Sequence, residues 1–150
     1  MDIKHIKIEK MTINDYELIK DILISDFDSF WNPEVLKEEL LNKNSIYFVA
    51  KKNNEIVGFS GVKVILENCD IMNIVTKKSY RNQGVGSLLL EELINFSKKI
   101  NISNIFLEVS EDNLSAIHLY EKYNFQKQGI RKNYYDNKNG INMILNLTYI

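Results

Sequence analysis

The chain has 150 residues, 45% apolar and 26% charged, a size and composition that fit one globular domain over 1–150. Its 19 basic residues are answered by 20 acidic ones, for a formal charge of -1, which excludes the strongly basic surface of a nucleic-acid binder. Cys69 is the only cysteine and makes no ligand spacing with His5 or His118, so neither a disulfide nor a zinc site is expected. The amino terminus, MDIKHIKIEK, lacks the apolar centre of a signal peptide, and no apolar run approaches the ~20 residues that cross a bilayer. The expectation is a reduced, soluble, cytoplasmic protein with no nucleic-acid or membrane partner.

In chain order, "IKHIKIEK" alternates, with Ile3, Ile6 and Ile8 among charges, and predicts a first strand. "TINDYELIKDIL" offers Thr12 and Asn14 as caps and puts Leu18, Ile19, Ile22 and Leu23 on one helical face. After the irregular "SDFDSFW", Asn32 predicts an N-cap and Pro33 the first position of a helix reaching about Leu41. Three strands follow, turned at Asn53-Asn54 and Glu67-Asn68, with Gly58 and Gly61 marking a bulge or a close backbone approach. "GVGSLLLEELINFSKKI" spaces Leu89, Leu93 and Phe96 as a helix and closes on Lys98 and Lys99, which suit the negative end of its dipole. "NIFLEV" reads as a strand and "LSAIHLYEKYN" as a helix. A final hairpin is turned by Asn139-Gly140. The order β α α β β β α β α β β predicts a mixed, mostly antiparallel sheet with about four helices and a parallel crossover around the 84–99 helix.

The stretch "YRNQGVGSLLLEEL" sets Gly84 and Gly86 where a strand, a loop and a helix start meet. A helix start presents unpaired N–H groups and the positive end of a dipole, an arrangement suited to a pyrophosphate. A Cβ at either glycine would hold phosphate away from those amides. No Gly-Lys pair is present, which removes the P-loop, and Leu89 stands where a dinucleotide fingerprint needs its third glycine. The alternative is that both glycines relieve crowding where helix meets sheet.

Arg81-x-x-Gly84-x-Gly86, after a strand and before an amphipathic helix, resembles the acetyl-CoA signature of the GNAT superfamily of N-acetyltransferases. "MNIVTKKSYRNQGVGSLLLEELI" and "LEVSEDNLSAIHLYEKYNF" resemble the central half of that fold. The Phe30-Trp31-Asn32-Pro33 loop and the late "RKNYYDN" are similar to the RimI-type ribosomal-protein alanine N-acetyltransferases. The resemblance implies a GNAT fold, α/β (α+β), and acetyl-CoA as co-substrate with no metal. It also implies a protein N-terminus as acceptor, that of ribosomal protein S18; the alternatives are a small-molecule acetyltransferase acting on a polyamine, amino acid or drug, and a catalytically silent acyl-CoA-binding module. It places the pantetheine arm along the backbone of Ile74, Val75 and Thr76. The pyrophosphate falls on Asn82, Gln83, Gly84, Val85, Gly86 and Ser87, and a further cofactor contact on Asn113, for which a plain N-cap is the alternative.

Acetyl transfer to an amine must take a proton from the nitrogen and benefits from giving one to the leaving sulfur. Glu108 is the lone charge in "IFLEV", on the opposite face from Ile105 and Leu107. The resemblance makes it the general base; the alternative is a solvated strand glutamate. The same resemblance makes Tyr120 the general acid, against core packing. His118 is read as surface or packing, and Tyr134 and Tyr135 as walls of the acceptor cleft or hairpin packing. Asp26 and Asp28 are either an attraction for a basic peptide or solvated loop charges. Asn124 stands where the family carries glycine, and Asn also tolerates a left-handed helix end.

Overall fold

The computed structural model describes residues 5–28, 32–135 and 137–149, with Tyr134, Tyr135 and Tyr149 described by their backbone alone. Ile3, Phe30 and Trp31 lie outside the described residues. Strand β1 covers Ile6–Lys10 and is followed by helices α1 (Ile13–Ile19), α2 (Leu23–Asp26) and α3 (Pro33–Leu41). Strands β2 (Ser45–Lys52), β3 (Glu55–Ile65) and β4 (Asn68–Thr76) lead through a loop to helix α4 (Val85–Lys99). Strand β5 (Asn104–Ser110), helix α5 (Leu114–Lys122) and strands β6 (Gln126–Tyr135) and β7 (Lys138–Asn146) complete the order. The strands form one seven-stranded sheet, β1-β2-β3-β4-β5-β7-β6, antiparallel except where β4 meets β5.

Local chemistry explains the helix starts. Thr12 caps α1 through a reciprocal box: its Oγ1 accepts from the Asp15 N–H at 3.3 Å, and Asp15 Oδ2 accepts from the Thr12 N–H at 2.8 Å. Asn32 accepts from the Glu34 N–H at 2.7 Å, with Pro33 at the first helical position. Replacing Thr12 by Ala is expected to lower stability by about 1 kcal/mol in urea unfolding while leaving turnover unchanged. An unchanged midpoint would mean that the capping box contributes nothing.

Three expectations fail here, one of them by a single residue: the β3–β4 turn is Leu66-Glu67, with Leu66 at φ 56° and Asn68 already paired to Ile65. The first helix does not run through to Leu23, because Ile22, at ψ 4°, leaves the helical path and starts the separate α2. Leu18 therefore lies on no buried face and is 71% exposed, while Tyr16, Ile19 and Leu23 carry the packing. The final hairpin turns earlier than Asn139-Gly140: Tyr135 already pairs with Lys138, Asn137 takes the positive φ of 72°, and Gly140 lies inside β7. The early turn uses Asn, which tolerates the left-handed region. At the far end of α5, Asn124 sits at φ 73°.

Side chains of the sheet alternate between two cores. Phe48 and Ala50 join the layer under α4 and α5, whereas Tyr47 and Val49 join the layer under α1 to α3. Helix α4 buries Leu89, Leu90 and Leu93 completely. Gly58 and Gly61 both mark bulges and close approaches. Register slips at Ala50/Lys51 opposite Gly58, and at Gly61/Val62 opposite β4. A Cβ on Gly58 would lie 2.8 Å from the Val75 carbonyl oxygen and from Val85, and one on Gly61 would enter the Tyr47 ring.

Candidate active site

The crossover pair β4 and β5 touches over only three residue pairs, Asn68–Asn104, Cys69–Ile105 and Asp70–Phe106, and then parts. The bulge helps to open this gap, since Gly61 pairs with Asn73 and Val62 with Ile71, leaving Met72 as the extra residue. Lys77 donates its N–H to the Val57 carbonyl, so by antiparallel alternation Val75 spends its backbone groups on β3. The groups of Ile74 and Thr76 point away from β3, although the Thr76 carbonyl is taken by the Asp28 N–H at 2.9 Å.

Helix α4 begins beside this gap. Gly84 is its N-cap, at φ 84°, a left-handed conformation that disfavours any Cβ, and no side chain caps the helix. The first amides of α4 thus lack intrahelical acceptors. Gly86 is not there to relieve crowding: a Cβ on it would meet only Leu119 at 3.6 Å and Ile74 at 4.0 Å, both ordinary contacts. The open space lies over the cleft, which is what a diphosphate needs if it is to reach the amides.

The cleft encloses about 520 Å³. Seven residues predicted to hold the cofactor line it: Ile74, Thr76, Asn82, Gly84, Gly86, Ser87 and Asn113. Three do not. Val75 and Val85 are buried core side chains and Gln83 is half-buried outside the lining. Their backbones remain part of the strand and the loop.

Helix α5 supplies the other wall. Asn113 caps it, its Oδ1 accepting from the Ala116 N–H at 3.2 Å, so the cap and the cleft position coexist in one side chain. Ser115, Ala116, Leu119 and Tyr120 line the cleft beyond it. Apart from Tyr120, sequence reasoning missed these, though their spacing from Tyr120 already places them on one helical face. Tyr120 is buried, with its ring 5.7 Å from Phe125, and also lines the cleft, so core packing and a place on the cleft wall coincide. His118 is exposed. Before α5, Asp112 is paired with Lys138 and accepts from Ser110 at 2.6 Å; Lys138 holds its carboxyl below the ordinary range.

Asp28 also lines the cleft, and it is not a free attractant. Its carboxylate accepts from Arg81 Nε at 2.6 Å and from a second guanidinium nitrogen, and this pairing holds the arginine's pKa above its usual value. Asp26 accepts from the Ser25 hydroxyl at 2.9 Å. Glu108 stands apart from the cleft lining, on β5 beyond the last residue paired with β4. Its Oε2 lies 3.8 Å from Arg131, and its Oε1 is buried with no hydrogen-bond partner among the described residues. The side chains of Tyr134 and Tyr135 fall outside the described residues. Among those described, no cluster of His, Cys, Asp or Glu could hold a metal ion, and no helix is long and apolar enough to cross a membrane.

A parted parallel pair, a glycine-led helix start and a second helix across the cleft together define the acyl-CoA N-acyltransferase architecture. The chain belongs to the GNAT acetyltransferase family, whose model, described as "Acetyltransferase (GNAT) family", matches residues 16–125. Its activity is that of an acetyl-CoA-dependent N-acetyltransferase. It is 40% identical over 112 residues to the [ribosomal protein bS18]-alanine N-acetyltransferase of Haemophilus influenzae, covering 73% of this chain and 74% of that one. It is 30% identical to the N-alpha-acetyltransferase RimI of Mycobacterium tuberculosis, covering 72% and 69%. The crystal structure of the ribosomal-protein-S18-alanine N-acetyltransferase from Escherichia coli superposes with a TM-score of 0.87 at 27% identity, over 95% and 94% of the two chains.

Proposed function

We propose that the acceptor is the amino-terminal alanine of ribosomal protein S18. The names of the relatives at 40% and 27% identity support this reading, as does the length over which the chains match. In this proposal the pyrophosphate of acetyl-CoA rests on the amides from Asn82 to Ser87. Its pantetheine arm runs along the outward groups of Ile74 and Thr76, and Asn113 offers its amide nitrogen. An α-amine has a pKa of about 8, against ~10.4 for lysine, so a carboxylate base faces the milder task with a chain terminus.

Glu108 takes the ammonium proton, and the freed nitrogen lone pair attacks the thioester carbonyl carbon. The C–N bond forms, the C–S bond breaks, and the departing sulfur receives a proton from the Tyr120 hydroxyl. The supporting geometry is the parted strand pair. It leaves the ends of β4 and β5 facing a common gap, with Tyr120 on the cleft wall and Glu108 on the far strand. Incubation with acetyl-CoA and a peptide carrying the S18 amino terminus is expected to add one acetyl group to its alanine nitrogen, read by tandem mass spectrometry. An unmodified peptide, alongside turnover on a polyamine or free amino acid, would replace this acceptor with a small molecule.

A further inference from the structure

Gly140 lies in the interior of β7, paired with Ser110 of β5 on one side and with Arg131 of β6 on the other. Its backbone does not ask for glycine, since among the described residues Gly84 alone of the glycines has a positive φ. A strand interior does not favour one either, because glycine weakens a strand and leaves nothing to pack. What occupies the place of its missing Cβ is one neighbouring side chain. A Cβ built on Gly140 would fall 2.5 Å from Oε1 of Glu108, 3.1 Å from its Cδ and 3.2 Å from its Cγ. These three nearest atoms all belong to Glu108. Gly129, on the adjoining strand, differs: a Cβ there would meet only Asn142 Nδ2, at 3.8 Å.

We propose that Gly140 is a positioning residue for the acetyl transfer, its missing Cβ being the seat on which the Glu108 carboxylate lies. With the carboxylate flat on β7, Oε1 is buried and Oε2 is turned to the open side near Arg131. A methyl group at 140 meets the far end of a flexible side chain, so the carboxylate swings off its seat while the sheet keeps its register. The inference rests on the assignment of Glu108 as base, and the test separates the two.

Steady-state kinetics and thermal melts would be taken for Gly140→Ala, Gly129→Ala, Glu108→Gln and the double variant Glu108→Gln/Gly140→Ala. Gly140→Ala is expected to lose about 10²-fold in kcat, the scale of a misplacement near 1 Å, with the KM for acetyl-CoA unchanged. Gly129→Ala is expected to match the native enzyme. In the Glu108→Gln background, Gly140→Ala should cost no further rate, since no base remains to be displaced; a merely structural glycine would cost the same in both. An unchanged kcat in Gly140→Ala beside a crippled Glu108→Gln overturns the inference alone. An unchanged kcat in Glu108→Gln overturns the base assignment and the inference with it. Should Gly140→Ala fail to fold, rescue of folding by Glu108→Ala upholds the contact, and failure of that rescue overturns it.

Discussion

Replacing Glu108 by Gln is expected to lower kcat by about 10²–10⁴-fold, the usual contribution of a positioned proton-transfer group. Glutamine has nearly the same shape, so it still fits over Gly140 and the sheet should melt at the native temperature. Coenzyme A should still bind with native affinity in a calorimeter, because Glu108 is not among the residues that line the cleft. The loss should be confined to turnover. A variant with native kcat would show that another group, or water, takes the proton. A variant that also lost coenzyme A binding would show that Glu108 shapes the cleft, against the separation seen here.

The second large effect has opposite signs on stability and on binding. Gly86 lies in the first turn of α4 without a positive φ, so Gly86→Ala should raise helix stability by about 0.5–1 kcal/mol. The new methyl group has room, with Leu119 at 3.6 Å as its nearest neighbour. It projects into the space through which a diphosphate reaches the helix amides. Two or three such contacts at ~0.3–1 kcal/mol each would be weakened, enough for about a tenfold rise in the coenzyme A dissociation constant. The expected result is a higher melting temperature with weaker binding. Unchanged affinity would mean that the phosphates do not sit on this helix start.

Most of the strand and helix order was legible because each element carries its own period and punctuation. Asn32-Pro33 announced α3, and the lysine pair announced the end of α4. The break between α1 and α2 was not legible. Leu18, Ile22 and Leu23 fit a continuous helix, whereas the folded chain breaks at Ile22 and buries Tyr16 and Ile19 on the first piece and Leu23 on the second. The glycine loop and Tyr120 could be found from local pattern and family likeness. The division among residues 82 to 87 could not, since Val85 is buried against Gly58 of β3, a contact distant in sequence. Gly140 was misread for a related reason. Asn-Gly is a strong local turn signal, but the space under Glu108 is a long-range demand that one-dimensional pattern does not contain.

The short β4–β5 contact has a consequence beyond making room. Three residue pairs form the whole direct ladder between the four strands on one side and the three on the other. An open ladder of this kind leaves peptide groups at a sheet edge without strand partners, the condition in which a foreign extended chain can dock as an additional strand. A pantetheine arm carries amides of its own, and on the proposed placement beside Ile74 and Thr76 it would serve as a temporary piece of secondary structure. On that placement the acyl carrier would close the seam as it binds and reopen it as it leaves.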